Sequence, residues 1–252
     1  MHKKIFFQIV FLFISFFSIA HFSLSYSASP IRMIALGDST TAGTPNFKSP
    51  IEAPPDGSGN PESQYVYWMM KRHPEWNVEN HGVNGERSDE ILRRFEKWIN
   101  DLNDQIKQVK PGHVQNKKPI QPVKSVEPKL DIVIVLAGVN DLYQGHSADW
   151  VADYLKKIYE LAERNGIKVI ACTVLPYDRS SDEIRRRMKK VNDWIRSYSL
   201  EHHLGFCDTY HAVEDPENPG RLVSTSDGLH PDIEGYQKMG NAVTDVLEKL
   251  PV

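Results

Sequence analysis

The run Leu130-Asp131-Ile132-Val133-Ile134-Val135-Leu136 constrains the fold more than any other stretch of the chain. Apart from Asp131 it has no polar position, and Ile and Val dominate. A strand that is apolar on both faces belongs inside a parallel sheet covered by helices on both sides. It ends in Ala137-Gly138-Val139-Asn140-Asp141, where a glycine turn delivers polar side chains to the strand's carboxyl end. Open α/β sheets place their binding and reacting groups at those ends.

The same grammar recurs along the chain. Strands are expected over 31–36, 76–80, 130–136, 168–173 and 204–208. Between them lie helical patterns over about 61–72, 88–102, 148–165 and 181–198, and a last one to about 249. Ile91, Leu92, Phe95, Trp98, Ile99 and Leu102 fall on one helical face, as do Val151, Tyr154, Leu155, Ile158, Leu161 and Ala162. Ser88 and Ser181 are placed as N-caps, Gly166 as a stop, and Pro231 as the first residue of the final helix. Strand and helix in alternation give a three-layer α/β/α sandwich around a five-stranded parallel sheet.

Two stretches interrupt this rhythm. Residues 44–60 contain Pro45, Pro50, Pro54 and Pro55 and are expected to form a loop beside the first strand's carboxyl end, either a wall of a site or a surface insertion. Residues 105–129 carry four prolines and six lysines and are expected to be an exposed insertion.

At the amino terminus, Lys3 and Lys4 precede an apolar run over 5–20 and then a serine-rich stretch. Residues 1–28 therefore read as a secretory signal peptide, and 29–252 as one exported domain, periplasmic or extracellular. An uncleaved membrane anchor is the competing reading, which Gln8, Ser15, Ser18 and His21 weaken; after cleavage no membrane span is expected. Loss of the two lysines takes the 30 basic residues to 28 against 33 acidic ones. Such a body is a poor fit to nucleic acid. Cys172 and Cys207 each sit in an apolar run, as a disulfide or as two buried thiols.

The chemistry is read from four turns. Gly37-Asp38-Ser39 follows the first strand and presents Ser39 as a nucleophile. Asp227-Gly228-Leu229-His230 supplies a base, since an imidazole takes up and returns a proton near neutral pH, and a carboxylate three residues away to orient it. Donors for a developing oxyanion are expected from the N–H of Ser39, the N–H of Gly82, where a missing side chain would let substrate approach, and the amide of Asn140. Asp38, Asn84 and Asp141 are assigned supporting roles in these turns. The positive end of the last helix is expected to act on His230.

Taken together, Gly37-Asp38-Ser39, Gly82 within Asn80-His81-Gly82-Val83-Asn84-Gly85, Gly138-Val139-Asn140-Asp141 and Asp227-Gly228-Leu229-His230 resemble the four blocks of the SGNH, or GDSL, hydrolases. Their order and spacing match across nearly all of the chain after residue 28. The resemblance implies a flavodoxin-like sheet of order 2-1-3-4-5, a Ser39, Asp227, His230 triad, an oxyanion hole of Ser39, Gly82 and Asn140, and no metal or organic cofactor. It implies an esterase of the lysophospholipase or arylesterase kind, acting on small or medium acyl esters or lysophospholipids. O-acetyl groups on extracellular or envelope polysaccharide are the second substrate class. The longer loops at 44–60 and 105–129 are the departures from a minimal member.

Other classes fit less well. An ordinary α/β-hydrolase needs a Gly-x-Ser-x-Gly elbow, which the chain lacks. A metallophosphoesterase needs more His and Asp ligands at the strand ends. A non-catalytic glycan- or lipid-binding module on the same fold would have no use for the nucleophile, acid and base together.

Overall fold

The computed structural model describes residues 31–109 and 130–250. In chain order the elements are β1 (Arg32–Gly37), α1 (Ser39–Ala42), β2 (Phe47–Lys48), β3 (Ser58–Gly59), α2 (Tyr65–Arg72), β4 (Asn77–Gly82), α3 (Ser88–Val109), β5 (Ile132–Leu136), α4 (Val139–Tyr143), α5 (Ala148–Arg164), β6 (Lys168–Cys172), α6 (Asp182–Glu201), β7 (Gly205–Cys207), α7 (Thr209–Val213) and α8 (Ile233–Leu247). The main sheet has the order β4-β1-β5-β6-β7 and every pairing is parallel. Numbered by sheet strands alone this is 2-1-3-4-5, the expected flavodoxin-like order. The chain thus reverses direction of growth between β1 and β5, and the first, second and third turns meet at that switch point.

Alternation along the strands builds the two cores. Ile34 and Leu36 of β1 and Val133 and Val135 of β5 face α3, α5 and α6, where they meet Phe95, Leu155, Ile158 and Val191. Met33, Ala35, Ile132 and Ile134 face the opposite way, onto Tyr65, Met69, Tyr236, Met239 and Val243 of α2 and α8. Both faces of β5 are sealed from water, as its uninterrupted Ile and Val require.

Several boundaries differ from expectation for identifiable reasons. Residue 88 is not a cap: the carbonyl of Arg87 accepts the first helical N–H groups and Glu90 reaches back to the Arg87 N–H at 3.0 Å, the carboxylate half of a capping box, one residue earlier. The helix then runs on to Val109, into the first residues of the expected insertion. Pro231 does not open the last helix. Asp232 is the N-cap, accepting from the Gly235 N–H at 3.1 Å, so α8 starts two residues later and its capping carboxylate lies between the helix end and His230. The expected helix start at Pro231 is accordingly corrected.

The proline-rich segment forms the small antiparallel pair β2-β3 apart from the main sheet. Cys172 and Cys207 are register partners on β6 and β7, buried as free thiols. The expected leader, residues 1–28, and most of the lysine-rich insertion lie outside the described residues. Among the described residues no helix is long and apolar enough to cross a membrane.

Candidate active site

Ser39 is held by a tight turn between β1 and α1. Asp38 ends the strand as the N-cap of α1, its Oδ1 accepting from the Thr40 N–H at 2.9 Å and the Thr40 hydroxyl at 2.8 Å. Gly37 is obligatory just before it, since a Cβ there would lie 2.2 Å from Thr41 Oγ1 and 2.3 Å from the Leu136 carbonyl. The chain therefore turns within one residue from strand to helix, and Ser39 is the first helical residue. Burial pushes the Asp38 carboxyl up to about 6, against the Thr40 hydrogen bonds that favour the charged form; its Oδ2 is buried without a partner.

The loop between α7 and α8 delivers the other two groups. His230 Nε2 is 2.9 Å from Ser39 Oγ, and His230 Nδ1 is 2.7 Å from Asp227 Oδ2. Asp227 Oδ1 accepts from the N–H groups of Leu229 and His230, both at 2.8 Å. Burial raises the Asp227 carboxyl, but the imidazole and these two N–H groups outweigh it and bring the group down to about 2. Thr225, which local sequence gave no reason to single out, ties the turn together. Its hydroxyl donates to the His230 carbonyl at 2.6 Å and accepts from the Gly228 N–H at 3.0 Å. The row Ser39, His230, Asp227 is thus assembled in hydrogen-bond order, with the carboxylate on the nitrogen that faces away from the serine.

Gly82 is not where its expected role needs it. Its N–H donates to Asn80 Oδ1 at 2.9 Å, and its carbonyl accepts from Ser49 Oγ at 2.5 Å. A Cβ at this position would lie 2.1 Å from the Ala42 nitrogen, so the space left by the missing side chain is filled by α1 and not by substrate. Asn80 holds the arrangement from the other side, its Nδ2 within hydrogen-bonding distance of the Thr41 and Ala42 carbonyls and of Gln64 Oε1. Gly82 is the seat on which α1 rests. Three residues later, Gly85 has a φ of +76° and open space where a Cβ would be. The signal for it was in the sequence: Asn84-Gly85 is a turn dipeptide with a left-handed second residue.

The loop over 44–60 clamps this second turn. Thr44 donates to Asn84 Oδ1, Glu52 Oε1 accepts the Asn84 N–H at 2.9 Å, and Ser49 holds the Gly82 carbonyl. These contacts fasten the loop to the second turn. On the other flank Asn140, in the first turn of α4, donates its Nδ2 to the Glu86 carbonyl at 2.9 Å. Asp141 is buried and accepts from the Ser88 N–H at 2.9 Å, the Ser88 hydroxyl at 2.7 Å and Trp150 Nε1 at 3.2 Å, which ties α4 to the start of α3. The supporting residues Asp38, Asn84 and Asp141 all hold turns.

A parallel α/β/α sheet with a serine, an imidazole and a carboxylate in hydrogen-bonded sequence at its switch-point rim has the geometry that hydrolases working through an activated serine hydroxyl require. Residues 35–238 match the GDSL-like Lipase/Acylhydrolase family, so this chain belongs to that family. Among solved structures it is similar to a lipolytic G-D-S-L protein from Veillonella parvula, with a TM-score of 0.66 and 21% identity, covering 87% of this chain and 100% of that one. It is also similar to an acetylxylan esterase from Geobacillus stearothermophilus, with a TM-score of 0.59 and 19% identity, covering 87% and 94%. At these identities the likeness is one of fold. Among curated proteins, 97 residues are 28% identical to an N-acylneuraminate cytidylyltransferase from Streptococcus agalactiae serotype V, which is 38% of this chain and 23% of that protein. The chain spans about a quarter of the length of the curated relatives it matches.

Proposed function

We propose that this protein hydrolyses short-acyl carboxylic esters through an acyl-enzyme on Ser39. The observation that carries the reading is the hydrogen-bonded row from Ser39 Oγ through both nitrogens of His230 to Asp227. His230 Nε2 takes the hydroxyl proton as Ser39 Oγ bonds to the ester carbonyl carbon, and Asp227 balances the imidazolium. The proton then passes to the departing alcohol as the ester C–O bond breaks. Water repeats the sequence on the acyl-serine and releases the acid.

The oxyanion is assigned to the N–H of Ser39, the second N–H of the Asn140 amide and, in place of Gly82, the N–H of Gly85. Gly82 spends its donor on Asn80, whereas Gly85 sits in the turn between the Thr44 clamp and the Glu86 carbonyl that holds Asn140. Such donors are each worth about 3–4 kcal/mol in the transition state.

A short acyl group is favoured because residues that could have lined a long apolar groove are spent on the core. Leu142 is 0% and Tyr177 2% exposed. The clamp loop, for its part, turns Ser49 and Glu52 onto the second turn. Lysophospholipids are the less favoured substrates on this ground. For the alcohol, Tyr143 stands 68% exposed one helical turn beyond Asn140, an aromatic surface on which a sugar ring can stack. This favours O-acetyl groups on a glycan, the second substrate class, with export on the leader giving access to it.

Hydrolysis of p-nitrophenyl esters from acetate to palmitate, beside the Ser39→Ala variant and an acetylated oligosaccharide, tests the reading. A short-chain optimum that vanishes in Ser39→Ala supports it. Equal activity in a folded Ser39→Ala variant overturns the nucleophile, and a long-chain optimum overturns the substrate.

A further inference from the structure

We propose that Arg94 is a positioning residue for the oxyanion site, its guanidinium locking Glu86 so that the Glu86 carbonyl fixes the Asn140 amide. The inference rests on the serine-esterase reading above and adds a residue to it. Arg94 projects from the second turn of α3, 20% exposed, and spends its fork on three partners. Nε and Nη2 grip the Glu86 carboxylate at 2.9 and 2.6 Å, Nη1 donates to the His81 carbonyl at 3.0 Å, and Nη2 to the Gly37 carbonyl at 3.2 Å.

Those partners are the last residues before the two site turns and the residue that closes the second one. Gly37 immediately precedes Asp38 and Ser39, and His81 precedes Gly82. The Glu86 carbonyl accepts Asn140 Nδ2. One planar cation therefore sets the distance between the ends of β1 and β4 and the acceptor that orients Asn140. The carbonyl has a selective effect: with an acceptor there, only the rotamer that turns the NH2 group toward Glu86 is satisfied. One N–H is used and one remains for an oxyanion.

A plain stability role does not account for the arrangement. A half-buried ion pair gives little net stability, because desolvation offsets its attraction. What a guanidinium adds over an ammonium is the rigid fork that reaches several acceptors at fixed angles, and Lys at this position could hold only part of the set.

The test is a double-mutant cycle on the purified protein with p-nitrophenyl acetate: Arg94→Lys, Asn140→Ala and both together, with Ser39→Ala as the control for the reading beneath. Arg94→Lys is expected to lower kcat about 10- to 100-fold with KM within about threefold, as a donor displaced by about 1 Å does. In the Asn140→Ala background the same change is expected to lower kcat less than threefold, since the group it positions is gone. A full loss that persists in that background, or a lowered Tm with unchanged kcat, overturns the proposal. If Arg94→Lys does not fold, Glu86→Gln runs the same cycle, because it weakens the grip while leaving the carbonyl in place. Undiminished activity in Ser39→Ala would instead remove the esterase reading, an outcome distinct from additivity in the cycle.

Discussion

The Gly82 N–H points into the Asn80 side chain, 2.9 Å from its Oδ1, and so is spent inside the protein. The glycine packs its bare Cα against Ala42 of α1, which fixes the height of the serine turn above the sheet. Gly82→Ala is therefore a folding substitution. With a Cβ 2.1 Å from a backbone nitrogen, it is expected to cost about 3 kcal/mol or more. Gly85→Ala meets open space and pays only the left-handed backbone, about 1–2 kcal/mol. Urea unfolding separates the two, and for Gly85→Ala a raised KM with the smaller loss of stability is the expected result.

Asp227→Asn keeps the size of the side chain but loses the charge that balances the imidazolium. A fall in kcat on the order of 10³–10⁴-fold is expected, with KM little changed. Because the native carboxyl lies at about 2, it stays ionised through mild acid, and no activity change between pH 4 and 8 should trace to its titration. A pH profile of the parent beside the variant checks both.

Asp38 gives an opposite and separable pH effect on stability. Its folded carboxyl is at about 6, above the ordinary value near 3.9, so between these limits the folded state binds the extra proton. Stability from this group is present below about pH 4 and is lost as pH rises to about 6, on the order of 3 kcal/mol in all. Asp38→Asn can still cap α1 and should abolish that slope. Denaturant midpoints at pH 4 and pH 7, parent against variant, measure it.

Asn140→Ala removes one proposed oxyanion donor and leaves the Glu86 carbonyl without the Asn140 amide. A loss of about 10²–10³-fold in kcat/KM, carried by kcat, is expected from steady-state kinetics on a short ester.

Tyr143→Ala should leave p-nitrophenyl acetate turnover within about twofold while raising KM for an acetylated oligosaccharide several-fold, the size of one aromatic contact of about 1 kcal/mol. Equal effects on both esters would assign the ring to the acyl side or to structure.

What the sequence by itself determined were the features set by neighbours a few residues apart. The alternation in β1, the two-faced apolarity of β5 and the helical stripes of α3 and α5 fix which elements form. Glycines at 37 and 138 fix where the chain must turn. The residues that meet at the rim, Ser39, Asn140, Asp227 and His230, could be named because each sits beside such a turn. Tertiary structure decided which backbone donors remain free and which side chains hold the turns. Gly82 and Gly85 are equally plausible in one dimension. They part only when α1 settles on the first and Asn80 takes its N–H. Arg94 reads as one more charge on an amphipathic helix until α3 packs across the ends of β1 and β4. Pro231 carries the preference for a helix start, yet Asp232 takes the cap because its carboxylate satisfies a helical N–H directly. A hydrogen bond is consumed by whichever partner folding brings within about 3 Å; for Gly82 that partner is two residues away, but for Asn140 and for Arg94 at the Gly37 carbonyl it lies more than fifty residues away, beyond the reach of any local pattern.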